Sequence, residues 1–319
     1  MSSVKLEDVG FVGSGLSRPE LVLTTHSGDL FVSDKRGGIS TFRPGDPVRL
    51  IQARHAPDGF LPNGFALLPD RSFLIANLGP SGGVYHLTPD GTLTPRLLEI
   101  EGKQIPPTNF VGIDYESRVW VTVSTWQIPR EQAFRKGFAD GFIIVMDKSG
   151  ARIVAEGIGS TNEAIVSPNG EWLYVNETIA QRTSRFPIRA DGSLGPKQVV
   201  ADYGPATFPD GMTFDAEGGV WIVSVASNRV VRVAPNGKQE IWLEDADPEN
   251  LKRVADAFEN GTFGRAEIDS GRHRTLGNLS SLAFGDPDLH TVYLGSLFGE
   301  HIAHFRSPIR GAAPVHWEF

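Results

Sequence analysis

One pattern recurs six times along the chain, and it constrains the fold more than any other sequence feature. Each copy contains a polar residue, an apolar stretch, a tight turn and a second strand rich in aromatic or aliphatic residues. Aligning the copies places one residue of each in a common register, and we call these the register residues: Glu20, Asn63, Asn109, Asn162, Asp210 and Ser280. Their spacing lies between 43 and 70 residues. A period of this length indicates a repeat architecture.

Each copy continues with a third strand that has its own turn, as in GGVYHLTPDG from Gly82 and NRVVRVAPNG from Asn228, and then a short fourth strand. Four strands in roughly 45 residues are typical of a propeller blade. Two stacked sandwiches would not maintain one register through six copies. The sequence therefore predicts an all-β fold, a six-bladed β-propeller with four-stranded antiparallel blades, forming a single domain over residues 1–319.

Two long connections are predicted to lie on one face of the propeller. Strands alternate in direction, so the register residues share a face with the loops that follow second and fourth strands; we call it the register face. One long connection there covers residues 125–140, and the other is an insertion of about 245–277 between blades five and six. In the insertion, Asp247 as N-cap, Pro248 at the first position and Gly261 after the last turn predict a short helix. Long loops on one face are typical of a binding face.

Composition excludes several classes of function. Thirty Lys and Arg against 38 Asp and Glu give a formal charge of −8, which argues against an extended nucleic-acid surface. The absence of cysteine excludes disulfides and thiolate chemistry. No run of about 18 apolar residues predicts a membrane span, and MSSVKLEDVGFVGSG lacks the apolar core of a signal peptide. We expect a cytoplasmic protein with a small-molecule partner, without nucleic-acid or membrane partners. The oligomeric state stays open.

The chemistry of the register residues predicts a metal site. Inner strands crowd at a propeller axis, so the side chains at their starts converge; here they are two carboxylates, three amides and one hydroxyl. Two converging carboxylates repel unless a positive charge lies between them. Carboxylate and amide oxygens are the ligands that Ca²⁺, Mg²⁺ and Mn²⁺ prefer. The alternative is that these residues only satisfy backbone groups at strand starts, and the shared register of several such residues favours the metal.

Three stretches carry a resemblance to a known family: EAIVSPNGEWLYVNET at Glu163, PDGMTFDAEGGVW at Pro209 and SSLAFGDPDLHTVYLGSL at Ser280. With them, the chain resembles the gluconolactonase/senescence-marker-protein (regucalcin-like) family of six-bladed β-propeller hydrolases over nearly its whole length. The resemblance implies a metal-dependent hydrolase that acts mostly on lactones. It also implies one divalent cation held by Glu20, Asn109, Asn162 and Asp210. Ca²⁺ is the favoured ion, with Mg²⁺, Mn²⁺ or Zn²⁺ as alternatives.

Departures from the family pattern bear on the substrate. Sugar lactonases of this family commonly have an arginine where this chain has Pro107, and an acidic residue where it has Phe110. The connection at 125–140 adds Trp126, Phe134 and Phe138. These changes favour a ring less polar than a sugar lactone, although the aromatic residues could instead anchor the connection to the rim. The predicted substrate-contacting residues are Asn63, Phe110, Trp126 and Ser280.

The function predicted from the sequence is hydrolysis of a lactone, with Asp210 and Asn109 as catalytic residues. Asp210 would activate water, unless the metal does so, and Asn109 would hold the metal or orient the substrate. Two alternatives stay open: a phosphotriesterase or aryl esterase that uses the same cation, and a non-catalytic propeller in which the ion is structural and the face binds a partner. Glu163 and Glu177 are interpreted as supporting residues near the site, and His273 as a candidate accessory acid or base.

Overall fold

Six sheets of four antiparallel strands confirm the predicted six-bladed propeller in the computed structural model, which describes residues 4–319. Residues 1–3, which the predicted domain of 1–319 includes, lie outside the described part. From the innermost strand outwards, the first three blades are Val22–Thr24, Leu30–Asp34, Gly38–Phe42 and Arg49–Gln52; Pro62–Leu67, Phe73–Asn77, Val84–Leu87 and Leu93–Leu97; and Thr108–Ile113, Val119–Val123, Gly141–Asp147 and Gly150–Ile158.

The last three blades repeat this arrangement, and the outermost strand of the sixth blade comes from the N-terminal end of the chain. From the innermost strand outwards, blade four is Thr161–Val166, Trp172–Glu177, Arg182–Pro187 and Gln198–Asp202. Blade five is Phe208–Phe214, Val220–Val225, Arg229–Val233 and Gln239–Glu244. Blade six is Leu279–Gly285, Thr291–Ser296, Ile302–Arg306 and the N-terminal strand Gly10–Val12. A small hairpin, Glu99–Ile100 with Lys103–Gln104, follows blade two.

The ring is closed by pairing between the two ends of the chain. Gly10 lies opposite His304, and Val12 lies opposite Ile302, in an antiparallel pair. A Cβ added to Gly10 would come within 2.6 Å of the His304 ring, so only glycine fits at this crossing without a shift of the histidine. Because the first and last blades are joined in this way, every blade has a neighbour on both sides.

Apolar side chains fill the spaces between neighbouring blades. Among the described residues, one buried cluster joins each adjacent pair of blades around the ring, including blades six and one through Val32, Phe42 and Ile302. Burial of such surface is worth roughly 25 cal/mol per Å², so these clusters supply the main stabilisation of the ring. A further cluster, which includes Phe134 and Phe258, lies under the two long connections of the register face.

Blade three and blade five each have a buried aspartate at the first turn, on the face opposite the register face. Asp215 accepts hydrogen bonds from Gly219 N at 2.7 Å, Trp221 Nε1 at 2.8 Å and Arg232 Nε at 2.6 Å. Asp114 accepts the equivalent bonds from Arg118 N at 2.9 Å and Trp120 Nε1 at 2.9 Å. Each carboxylate fixes a turn and orients the tryptophan that packs between blades.

The helices lie mainly in the two long connections. The predicted helix is observed at Pro248–Glu259, with Asp247 as its N-cap accepting from Glu249 N at 2.9 Å. The other helical segments are the short α-helix Arg265–Ile268 and the 3₁₀-helices Leu6–Asp8, Arg130–Ala133 and Asp269–His273. Within the described chain, none of the helices combines the length and apolar character needed to cross a membrane.

The buried carboxylate of blade five yields a stability prediction. We expect Asp215→Asn to lower the free energy of unfolding by about 3 kcal/mol, because it removes the buried carboxylate charge paired with Arg232 and leaves the exposed Glu217 as the closest remaining partner. Urea denaturation of the purified protein measures this change. Asp58→Asn, which alters an exposed carboxylate, serves as the control and should change stability by less than about 0.5 kcal/mol. Equal stability of the two variants would contradict the structural role of Asp215.

Candidate metal centre

Backbone irregularities mark the start of the inner strands from blade two to blade six. The pairing register shifts between Pro62 and Phe65, and corresponding shifts occur between Thr108 and Phe110, Thr161 and Ala164, Pro209 and Met212, and Leu279 and Ser281. Each shift brackets one register residue. A β-bulge leaves a residue unpaired and redirects its side chain, a device common beside functional sites. The strands themselves therefore aim the register residues towards the axis.

Five of the six register residues line one cavity on the register face. The cavity and its mouth contain about 460 Å³ of empty space, part of which is open to solvent. Its polar lining from the strand starts comprises Glu20, Asn63, Asn109, Asn162 and Asp210. The two long connections contribute further residues, namely Arg130 and Phe134 from one and Arg265 and Ile268 from the other. The connections thus cover the axial cavity that the strand starts form.

Three of the four predicted ligands present oxygen atoms without hydrogen-bond partners. Glu20 Oε2, Asn109 Oδ1 and Asn162 Oδ1 are shielded from solvent and accept no hydrogen bond within residues 4–319. An unsatisfied buried acceptor is costly, and three of them in one cavity fit a hard cation that would satisfy them together. Within the same residues, no three His, Asp or Glu side chains converge on a metal position. A centre here therefore depends on amide oxygens as well as on carboxylates.

Hydrogen bonds to neighbouring groups hold the amide side chains in orientation. Asn162 Nδ2 donates to Thr178 Oγ1 at 2.9 Å, and that hydroxyl donates to Pro209 O at 2.7 Å. These bonds engage the nitrogen of Asn162 and leave its oxygen free for the cavity. Asn63 differs, because its Oδ1 accepts from Arg18 at 2.7 Å and its Nδ2 donates to the Asn109 backbone carbonyl at 2.7 Å. Asn63 therefore positions the backbone that carries Asn109.

Burial disfavours the charged form of both carboxylates in the cavity. It raises the pKa of Glu20 and of Asp210, and the charge of Asp210 adds to the rise for Glu20. The charge of Arg18 opposes the rise in the pKa of Glu20, and the charges of Arg130 and Arg18 oppose the rise in the pKa of Asp210. A divalent ion among these oxygens would keep both carboxylates ionised and would compensate their desolvation.

Three arginines at the cavity were missed by the sequence analysis. Arg18 precedes the first inner strand, Arg130 begins the 3₁₀-helix of the first connection, and Arg265 begins the short helix of the insertion. Burial lowers the pKa of Arg130 to about 10, and the nearby charge of Arg265 adds to this effect. The sequence predicted that the connections carrying Arg130 and Arg265 lie on the register face. It did not predict that these two side chains point into the cavity, because a repeat pattern does not determine the direction of a loop side chain.

Three predicted substrate-contacting residues do not line this cavity. The Phe110 ring lies in the apolar cluster between blades one and two and lines a second cavity near the other end of the axis, because adjacent residues of its strand point apart. Trp126 stacks on Phe142, with ring centroids 4.2 Å apart, and packs between blades two and three. Ser280 Oγ donates to the Glu20 backbone carbonyl at 2.7 Å, a positioning contact.

The remaining titratable candidates also lie outside the cavity lining. Glu163 accepts from Met212 N at 2.9 Å, and burial raises its pKa well above the ordinary range. Glu177 accepts from Arg182 Nε at 2.8 Å on a neighbouring strand. Both contacts agree with the interpretation of these residues as supporting groups. His273 is exposed at the end of a 3₁₀-helix, so the cavity geometry gives no basis for a role as acid or base.

Comparisons with known proteins show the family of the chain and the likeness of its fold. The pattern of the family described as SMP-30/Gluconolactonase/LRE-like region matches residues 23–244. A 6-deoxy-6-sulfogluconolactonase from Pseudomonas putida is 29% identical over 238 residues, which cover 73% of this chain and 67% of that protein. Among solved structures, the calcium-binding protein regucalcin from Agrobacterium tumefaciens has a TM-score of 0.67 at 18% identity, covering 97% of each chain. A gluconolactonase from Xanthomonas campestris has a TM-score of 0.67 at 17% identity, covering 93% of this chain and 89% of the other.

The unpartnered oxygens predict stabilisation by a divalent cation. A ligand that binds only the folded state adds RT ln(1 + [L]/Kd), about 2.7 kcal/mol at a hundredfold excess over Kd. We therefore expect Ca²⁺ to raise the melting temperature of metal-stripped protein, as measured by calorimetry. Asn162→Ala should abolish most of the increase, whereas Asn169→Ala, in an exposed turn of the same blade, should retain it. No increase with Ca²⁺, Mg²⁺, Mn²⁺ or Zn²⁺ would contradict the centre.

Proposed function

The chain belongs to the SMP-30/gluconolactonase/LRE-like family, and from this membership and the axial oxygen cluster we propose that it hydrolyses a lactone with a bound divalent cation. Glu20, Asn109, Asn162 and Asp210 would hold the ion, with Ca²⁺ as the favoured species. The relatives support this assignment, since one acts on a sulfogluconolactone and the structural neighbours are a gluconolactonase and a calcium-binding protein.

The observation that carries the proposal is the set of unpartnered oxygens on Glu20, Asn109 and Asn162. Residues that only stabilised strand starts would have their oxygens bonded to backbone N–H groups, as Asn77 Oδ1 accepts from Leu61 N at 2.9 Å. The free oxygens instead line the axial cavity that the two long connections cover. Their arrangement supports a bound ion together with a substrate, and it gives the purely structural alternative less support.

A divalent cation held there supplies Lewis-acid polarisation of the ester carbonyl and stabilises the negative charge that develops on its oxygen. The residues of the chain supply the rest. Asp210 accepts the proton of the attacking water, and Asn109 orients the substrate through its amide. Water adds to the carbonyl carbon, the ring C–O bond breaks, and the ring oxygen takes a proton, so that the product is a hydroxy acid.

Hydrogen bonds hold Asp210 and its neighbours in place for this reaction. Asn176 Nδ2 donates to the Asp210 backbone carbonyl at 2.9 Å, and Thr178 links Asn162 to Pro209. Asn176 lies in the strand Trp172–Glu177 of blade four, Thr178 directly follows that strand, and both are buried. Positioning of this kind reduces the reorganisation needed to reach the transition state.

The cavity lining also bears on the polarity of the substrate. The predicted preference for a less polar ring depended on Phe110 and Trp126, whose side chains pack elsewhere. Among the described lining residues, Phe134 is the only aromatic one and four others are aliphatic, whereas the polar and charged residues outnumber these apolar ones. We therefore propose a lactone with polar substituents in place of a less polar one. Phosphotriesters and aryl esters are the comparison substrates that would identify the alternative hydrolase.

Removal of the cation or of one of its carboxylates should abolish most of the activity. We expect EDTA to stop lactone hydrolysis reversibly, with Ca²⁺ restoring it. Asp210→Asn should lower kcat/KM by roughly 10²–10³-fold, because it removes both a ligand charge and the proposed base. Initial rates in a pH-indicator assay measure both effects.

Asp191→Asn changes an exposed carboxylate on the opposite side of the fourth blade and is the matched control, expected at the wild-type rate. Full activity in the presence of EDTA would refute the metal-dependent mechanism. Wild-type turnover by the Asp210 variant at limiting Ca²⁺ would refute its assignment as ligand and base. Loss of the folded state on chelation, without any lactonase activity before it, would favour the structural alternative.

A further inference from the structure

Arg130 has buried donor groups without acceptors. Its Nε and Nη1 atoms are shielded from solvent and donate to no acceptor within residues 4–319, although the side chain lines the axial cavity. Other guanidinium groups near the blades are paired: Arg118 with Asp114 at 2.6 Å and Arg182 with Glu177 at 2.8 Å. Leaving a charged donor unpartnered is expensive. The exception therefore indicates that something outside the chain completes the Arg130 site.

The other two arginines of the cavity have partners. Arg18 donates to Asn63 Oδ1 at 2.7 Å and to Pro62 O at 3.3 Å. Arg265 Nε donates to Asp269 Oδ2 at 2.9 Å, and its side chain is 44% exposed. Both are thus engaged in holding the site together, and Arg130 is the guanidinium free to bind a ligand.

The charge balance of the cavity indicates the sign of that ligand. Glu20 and Asp210 together would neutralise one divalent cation, and Asp269 compensates Arg265. Arg18 and Arg130 then remain, and Glu131, next to Arg130 in the chain, is the other carboxylate whose charge acts on Arg130, so the loaded site would keep an excess of positive charge. A neutral substrate would leave this excess in a poorly solvated cavity, whereas an anionic substituent would reduce it.

The connection at 125–140, which carries Arg130 and which we call the lid, is anchored to the rest of the protein. Phe134, in the same turn, is 4% exposed and packs with Phe208, Val254 and Phe258. The Arg130 guanidinium carbon lies 5.8 Å from the centre of the Phe134 ring. Lys136 extends the anchor by pairing with Glu259 of the insertion helix at 2.6 Å. Arg130 is therefore held over the cavity before any ligand arrives, which lowers the entropic cost of binding.

We propose that Arg130 binds a fixed anionic substituent of the substrate, a carboxylate or a sulfonate, while the lactone carbonyl faces the oxygen cluster at the strand starts. The planar guanidinium matches either group through two parallel hydrogen bonds. Because Arg130 belongs to the lid and the oxygen cluster to the strands, the two ends of one small molecule can be held at once. This inference specifies the substrate class of the proposed lactonase and rests on that function.

A matched substrate pair tests the proposal. Glucono-1,5-lactone and its analogue with a sulfonate in place of the C6 hydroxyl differ by one charge on the same ring. With Ca²⁺-loaded protein, we expect the wild type to hydrolyse the sulfonate lactone with the higher kcat/KM. Arg130→Gln should lower kcat/KM for the sulfonate lactone by roughly 10–100-fold more than for the neutral lactone, the range of a hydrogen bond to a charged group.

Arg135→Gln is the matched control, because Arg135 lies on the same connection, is exposed and stacks on Phe138 with its guanidinium carbon 4.3 Å from the ring centre. It should leave both substrates unaffected. Equal losses for both lactones in the Arg130 variant, or a wild type without preference for the anion, would overturn the proposal. An unchanged melting temperature shows that the Arg130 variant is folded.

A binding measurement separates failure of this inference from failure of the proposed function. 1,5-Anhydroglucitol and its 6-sulfonate lack the carbonyl and cannot be hydrolysed. If neither lactone is hydrolysed by the wild type, lactonase activity is refuted, and calorimetric titration still tests Arg130. Tighter binding of the 6-sulfonate that is lost in Arg130→Gln would support the anion site, whereas equal binding by the wild type and the Arg130 variant would overturn it.

Discussion

The convergence of two buried carboxylates at the axis of a closed ring is the constraint on which the site depends. Once the N-terminal strand pairs beside Ile302–Arg306 and closes the sixth blade, the starts of the inner strands cannot move apart. Glu20 and Asp210 are then held in a cavity where burial raises the pKa of both. Holding two carboxylates together in a buried cavity is electrostatically unfavourable, and burial of apolar surface between the blades provides the stability that offsets it.

The two faces of the propeller differ in loop length and in how their buried polar side chains are hydrogen-bonded. On the opposite face, short turns are fixed by buried carboxylates such as Asp114 and Asp215, each fully hydrogen-bonded. On the register face, Glu20, Asn109 and Asn162 keep free oxygens, and the connections are long. Buried polar side chains therefore differ between the two faces in whether the protein itself supplies their hydrogen-bond partners.

Much of the fold followed from the sequence, because the blades depend on a period. The same register predicted that Glu20, Asn109, Asn162 and Asp210 converge, and they line one cavity; their role as metal ligands stays a prediction. The closing strand Gly10–Val12 escaped notice because three residues carry no alternating pattern. Trp126 was misplaced for a related reason: a loop has no period, so its sequence does not tell whether a tryptophan faces the cavity or, as here, stacks on Phe142. The direction of Arg130 was equally inaccessible.

The charge of Arg130 and the charges of the proposed metal ligands influence one another. Without a cation, Arg18 and Arg130 balance Glu20 and Asp210, and their charges oppose the rise in the pKa of Asp210. A bound divalent ion would take over that role and would leave the guanidinium of Arg130 in excess. Cation and anionic substrate should therefore each increase the affinity for the other, since binding free energies are reciprocally linked. A neutral lactone would gain less from this coupling, so in the proposed mechanism the ion that would polarise the ester would also favour an anionic substrate.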